Sequence, residues 1–225
     1  MRVAALLFAC AGCSQVFGLE TPSRSDASSI DSTPDATPTC YGDRFNGAEL
    51  NPLLWDLINT TGDIAVDSGV LRVTPVAGMT GYVGIQARWP LAFVDTSYDV
   101  ELVQIASGAG MTTYFELNFG PQMIIAFAAN ATTLRAGLLS STTASSPYDP
   151  QAHRFLRMHF ETATPEITFQ TSPDAAVWTE VARAAIPQSM TSVTLRLLTL
   201  EEPQSAAPGV AIFDNVIMRT PGCIP

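Results

Sequence analysis

The sequence runs to 225 residues with a formal net charge of −10, from 11 basic and 21 acidic side chains. Every basic residue is an arginine, and an acidic chain with no lysine cluster excludes nucleic acid and anionic lipid headgroups as partners. Hydrophobic residues at 47% against 14% charged exclude a disordered chain as well.

Met1-Arg2 opens onto an apolar run from Val3 to Gly12. One positive charge, about ten apolar residues and a small-residue exit read as a secretory signal. The run is too short for a membrane-spanning helix, which needs about 20 residues. Ala11-Gly12-Cys13 resembles the bacterial lipobox, which implies lipidation of Cys13 and a lipid anchor in the bacterial cell envelope. Cys10, with Leu7 and Ala9 before it, is the alternative lipidation site. Ser14 in place of Asp resembles lipoproteins sent on to the outer membrane, and cleavage without lipid would leave a secreted protein. Residues 1–12 are thus the expected signal. Residues 13–39, rich in Ser, Thr, Pro and Asp without an apolar period, are a flexible tether that cannot bury enough surface to offset its ordering entropy.

From Cys40 onward the composition is globular, so a single domain over residues 40–225 is expected. Its apolar pattern has the period of strands. Ser97 to Ile105, Met111 to Phe119, Arg154 to Glu161 and Glu166 to Thr171 alternate polar with apolar. Met123 to Phe127 is nearly continuous in apolar residues and reads as a strand buried on both faces, returning after a turn at Gly120-Pro121. Gly-, Pro- and Ser-rich breaks at Ser107 to Gly110, Ser145 to Pro150, Ser172 to Asp174 and Pro203 to Gly209 separate the runs. The fold class expected is all-β, two packed antiparallel sheets.

Asp43-Arg44-Phe45-Asn46-Gly47 followed by Leu50 and Trp55 resembles the opening of concanavalin A-like (laminin G-like) jelly rolls. Asp67-Ser68-Gly69-Val70-Leu71-Arg72-Val73, then His153 to Arg157, Ser172 to Trp178 with Ala175 where that family commonly has glycine, and Ala211 to Val216 resemble its later strands and turns. The resemblance implies a two-sheet jelly-roll sandwich with Trp55 and Trp178 as packing aromatics. It also implies that the first and last strands lie side by side, which would bring Cys40 and Cys223 within reach of a disulfide.

The family includes glucanases, which carry Glu-x-Asp-x-x-Glu on one strand as nucleophile and acid/base. The nearest match is Asp99-Val100-Glu101-Leu102-Val103-Gln104, where Gln104 cannot transfer a proton as a carboxyl group does. Asp99 and Glu101 therefore read as a solvated strand face, as do Glu116 and Asn118, and no catalytic residue is assigned. His153 and His159 are too far apart along a strand to share a metal. Asp63, Asp67, Asp95 and Asp99 near strand ends leave a calcium ion in a loop as the one cofactor to consider, with no ligand spacing to support it. Trp89, Tyr82 and Tyr98, with Tyr148, are the aromatics expected at a ligand surface beside Asp99 and Glu101. The function expected is a non-catalytic, envelope-anchored module binding a glycan or an envelope protein. The alternatives are a degenerate or unconventional glycoside hydrolase using Asp99 and Glu101, and a structural envelope protein.

Overall fold

The polar–apolar alternation becomes two stacked antiparallel sheets in the computed structural model, which describes residues 41–58, 62–78, 80–120, 123–186, 190–201 and 205–221. Among these residues no helix occurs. The expected signal, tether, Cys10, Cys13, Cys40 and Cys223 lie outside the described residues.

The first sheet runs β14 (Thr179–Ala185), β13 (Glu166–Ser172), β12 (Phe155–Glu161), β7 (Ser97–Gln104), β16 (Ala211–Arg219), β4 (Val70–Pro75), β3 (Gly62–Asp67), with β1 (Tyr41–Asp43) also paired to β16. The second runs β11 (Ser141–Pro147), β10 (Thr133–Leu138), β9 (Ile124–Ala129), β8 (Met111–Asn118), β15 (Ser192–Glu201), β5 (Gly81–Ala87), β2 (Trp55–Ile58), with β6 (Leu91–Ala92) on β15. Tyr41 lies opposite Met218, so the first and last strands are neighbours as the resemblance implied. This is the expected jelly-roll sandwich.

Alternate residues of each strand fill the space between the sheets. Tyr98, Val100 and Leu102 of β7, Phe115 and Leu117 of β8, Leu156, Met158 and Phe160 of β12 and Ile167 and Phe169 of β13 are all buried there. Phe127 of β9 stacks on Phe115 with ring centroids 6.4 Å apart and meets Phe169 of the opposite sheet edge-on at 5.4 Å. The run Met123 to Phe127 falls on β9, a strand buried on both faces beyond its first residue: Ile125 and Phe127 face the core, while Ala126 and Ala128 join Tyr114 and Leu198 in a second apolar cluster on the far side of the second sheet.

Three departures from regular geometry matter. Ala175 takes φ of 60°, the left-handed conformation that favours glycine, so the Ser172 to Trp178 turn keeps its shape without its usual residue. The Asp174 carboxylate holds that turn by accepting from the backbone N–H groups of Ala176 and Val177. In β16 the register shifts between Asp214 and Ile217, and Asn215 at φ of 47° is turned outward by this bulge. Gly84 of β5 lies opposite Leu198, and a Cβ there would sit 2.2 Å from the Leu197 carbonyl oxygen and 2.6 Å from the Leu198 Cα. Gly84→Ala should therefore lower the unfolding free energy by about 1–3 kcal/mol, the usual range for overpacking. A urea midpoint equal to that of the parent would refute this close approach of β5 and β15.

Candidate functional site

The outward faces of the two sheets carry different polar chemistry. On the first sheet, β7 turns Asp99 and Glu101 outward, and the antiparallel register sets Asp99 opposite Arg157 of β12 and opposite Ile217 of β16. Arg157 donates to both Asp99 oxygens at 2.7 Å, and Arg219 Nε donates to Oδ2 at 3.0 Å. Arg154 Nε donates to Glu101 Oε1 at 2.7 Å, and the bulged Asn215 donates to Oε2 at 2.6 Å. Both carboxylates are buried, so the solvated strand face expected from the sequence is corrected. The arginines come from positions 53 to 120 residues away, which local spacing does not reveal. Each of the four oxygens is engaged by a cation or an amide, and these charge-assisted hydrogen bonds favour the ionised form, so this pair is a charge lattice rather than a proton donor.

The other expected ligand residues are scattered. The Tyr98 ring is in the core, donating its hydroxyl to the Ala92 carbonyl, and burial pushes its pKa up. It is therefore corrected from a surface aromatic to a core one, because its even position on β7 faces inward with Val100. Tyr148 is half-buried against His153, its pKa pushed up to about 12 by burial and by Asp149. Trp178 lies outside the core with the Arg157 guanidinium 3.8 Å over its ring, so it packs the lattice and not the sheet interface. Trp89 is 61% exposed with its indole N–H donating to the Leu53 carbonyl, and Tyr82 is exposed on the outward face of β5, as expected for both. Asp95 accepts from the Thr162 N–H at 2.7 Å, which holds its pKa low. Among the described residues no three His, Cys, Asp or Glu side chains converge on a point a metal could occupy.

On the second sheet the register builds a row that crosses four strands. Asp56 of β2 stands opposite Gln86 of β5, Gln86 opposite Arg196 of β15, and Arg196 opposite Glu116 of β8. Beyond Glu116 the row continues with the small residues Ala126 and Gly137, both buried. Arg196 donates to Glu116 Oε1 at 3.1 Å, and the Asn118 amide donates to the same oxygen at 3.2 Å. Glu116 is only 2% exposed, although it points away from the main core. Among the described residues the buried Arg196 Nε has no hydrogen-bond partner, an uncommon state for a buried donor.

Two clefts flank Glu116 along β8. One, of about 420 Å3, is lined by Thr112, Tyr114, Asn130, Thr132 and Arg135. The other, of about 350 Å3, is lined by Pro90, Asn118, Phe119, Thr191 and Thr194. Sequence reasoning noticed Glu116 and Asn118 but set them aside with Asp99. It missed Arg196 and Gln86, whose only sequence signal is the alternation of Thr194-Leu195-Arg196-Leu197.

No family model and no curated protein matches the chain. Solved structures do match. An endo-β-1,3-glucanase from Pyrococcus furiosus superposes with a TM-score of 0.62 at 9% identity, over 79% of this chain and 92% of that one. A β-glucanase from Bacillus licheniformis gives 0.56 at 11% identity, over 82% and 99%. A prokaryotic β-1,3-1,4-glucanase (lichenase) from a mouse hindgut metagenome gives 0.57 at 15% identity, over 80% and 98%. These similar structures are named as glucanases, which corrects the expectation of a non-catalytic binding module. That expectation had treated all outward carboxylates alike, whereas Glu116 differs from Asp99 and Glu101 in lying between clefts. What the chain shares with these glucanases, across nearly the whole of their length, is the concanavalin A-like jelly roll of two antiparallel sheets.

Proposed function

We propose that this chain is an unconventional glycoside hydrolase whose glycan lies along the outward face of the second sheet, with Glu116 as the working carboxylate. The observation that carries this reading is the placement of Glu116, buried and oriented by Arg196 and Asn118 midway between two clefts. The solved structures named as glucanases support a β-linked glycan as the substrate class.

The arrangement constrains the chemistry. A carboxylate in an ion pair suits attack on, or charge stabilisation of, an oxocarbenium-like centre better than proton donation. Retaining hydrolysis places a second carboxyl group about 5–5.5 Å away and inverting hydrolysis about 6.5–9.5 Å away. The acid in the same row, Asp56, stands three strands off, about 14 Å at the strand spacing of a sheet. Among the described residues the register brings no other Asp or Glu beside Glu116 on that face. The leaving group's proton then comes from water or from the substrate, so glycosides whose leaving group needs no proton are cleaved fastest. Trp89, at the end of β5 beside the Pro90 cleft, offers a face on which a sugar ring can stack.

The test is a panel of 2,4-dinitrophenyl β-glycosides, β-1,3-glucan and mixed-linkage β-glucan, read by phenolate and reducing-end release. Cleavage of the aryl glycosides ahead of the polysaccharides is the expected result. No release from any of them would remove the hydrolase reading.

The same reading places the enzyme on the bacterial surface, lipid-anchored through Cys13 or Cys10, with residues 13–39 giving it reach over polymeric substrate. Cys40 precedes β1 and Cys223 follows β16, and the pairing of those strands supports a disulfide closing the domain. Thiol alkylation of the mature protein, denatured without reductant, should find neither cysteine reactive. Labelling of both would exclude the bridge.

A further inference from the structure

The larger of the two clefts has a charge bias that hydrolysis of a neutral glucan does not use. Three arginines point outward from the second sheet or its margin. Arg88 donates to the Pro52 carbonyl and lies 3.9 Å from Asp56, and Arg196 is paired with Glu116. Arg135 of β10 has neither hydrogen bond nor ion pair among the described residues; its strand neighbours are Ala128 and Ser145. Arg135 lines the cleft, and no Asp or Glu is among the residues lining it.

A second donor points the same way. Asn130 Oδ1 accepts from the backbone N–H groups of Thr132 and Thr133 and from both threonine hydroxyls. That network fixes which end of the amide is oxygen and leaves its NH2 group with no partner among the described residues. The cleft wall is also preformed. Gly108 donates to the Pro208 carbonyl and Met111 to the Gly108 carbonyl, and a Cβ at Gly108 would lie 2.4 Å from the Ala207 oxygen. The cleft therefore has a preformed wall and offers an unpaired guanidinium, an oriented amide donor and no carboxylate.

We infer that this cleft binds an anionic substituent of the glycan, a carboxylate or a sulfate ester, with Arg135 as the residue that selects it. The inference rests on the proposed glycan-binding face and adds the substrate class. Arg135 lies two strands across and one same-face step along from Glu116, roughly 12 Å by strand geometry. The charged substituent thus sits on a different sugar from the one cleaved, and Arg135 determines specificity without touching the reacting bond. The planar fork of arginine matches both carboxylate and sulfate oxygens. The net charge of −10 opposes a polyanion at long range, so the preference is a short-range one that persists at 0.15 M salt, where screening acts over about 8 Å.

The test is calorimetric titration of the full-length protein with β-1,4-linked hexaglucuronate, with 6-O-sulfated cellohexaose and with cellohexaose. A charge-assisted contact predicts at least tenfold tighter binding of a charged hexamer than of the neutral one. Arg135→Gln should bring them within about twofold while leaving cellohexaose affinity unchanged, and Arg135→Lys should keep part of the preference. The two charged hexamers separate the sources, because one carries only carboxylates and the other only sulfate esters. Equal or weaker binding of both charged hexamers, with cellohexaose still bound, would overturn the inference and leave the glycan-binding face standing. A preference that survives Arg135→Gln would remove Arg135 from the role. Absence of binding by all three hexamers would overturn both readings together.

Discussion

Asp99→Ala should lower the unfolding free energy by about 3–5 kcal/mol, the cost of breaking a buried ion pair by deleting one partner. The Asp99 side chain is 8% exposed and receives two hydrogen bonds from Arg157 and one from Arg219. Its removal strands both guanidinium groups, themselves only 20% and 28% exposed, which have no other carboxylate partner among the described residues. The exposed Arg183 pairs with Glu166 and Glu180 are the contrast: all three side chains are more than a third exposed, and such pairs contribute about 0–1 kcal/mol. Urea denaturation gives the comparison directly. The double variant Asp99→Ala with Arg157→Met should cost less than the sum of its parts, because one of the two stranded charges is then absent. A loss under 1 kcal/mol for Asp99→Ala, accompanied by loss of glycoside cleavage, would instead return Asp99 to the chemistry and undo its assignment to the lattice.

The fold was legible because its signal is local. Alternation over Ser97 to Ile105 and Met111 to Phe119 fixes which residues face the core once any strand is assumed, and by that alternation Tyr98, expected at the surface, falls inward with Val100 and Leu102. The continuous apolar run at Met123 to Phe127 was legible for the same reason, since both of its faces are covered. The site was not legible, because it is made of register. Glu116 meets Arg196 across 80 residues of chain, and Gln86 and Asp56 complete the row from a third and a fourth strand. Spacing within one strand showed only that Glu116 and Asn118 share a face, which is equally true of Asp99 and Glu101. What distinguishes the two pairs is what covers them. Arginines and the Asn215 amide between them reach every oxygen of one pair, whereas Glu116 shares a single oxygen between Arg196 and Asn118 and has clefts on either side.

That difference makes Glu116→Gln the decisive substitution for activity. The exchange keeps the side chain's size and its acceptor oxygen toward Arg196 but removes the counter-charge of that arginine, so the fold should lose about 1.5–3 kcal/mol. Turnover of dinitrophenyl β-glycosides should fall about 10³-fold, comparable to deleting a charge-stabilising group in other active sites. If Glu116 attacks the anomeric carbon, the truncated variant Glu116→Ala has room for a small external nucleophile. Added azide should then restore cleavage of the aryl glycoside and yield a glycosyl azide: the carbon–azide bond forms as the bond to the phenolate breaks, with the electron pair leaving on oxygen. A role confined to electrostatic stabilisation predicts loss of rate without formation of that adduct. Asn118→Ala, which frees the shared oxygen from one donor, should slow turnover less than either change at 116 because Arg196 still holds the carboxylate. Undiminished cleavage in Glu116→Gln would detach the activity from this face of the sheet, and the row from Asp56 to Glu116 would then be a second charge lattice like the one around Asp99.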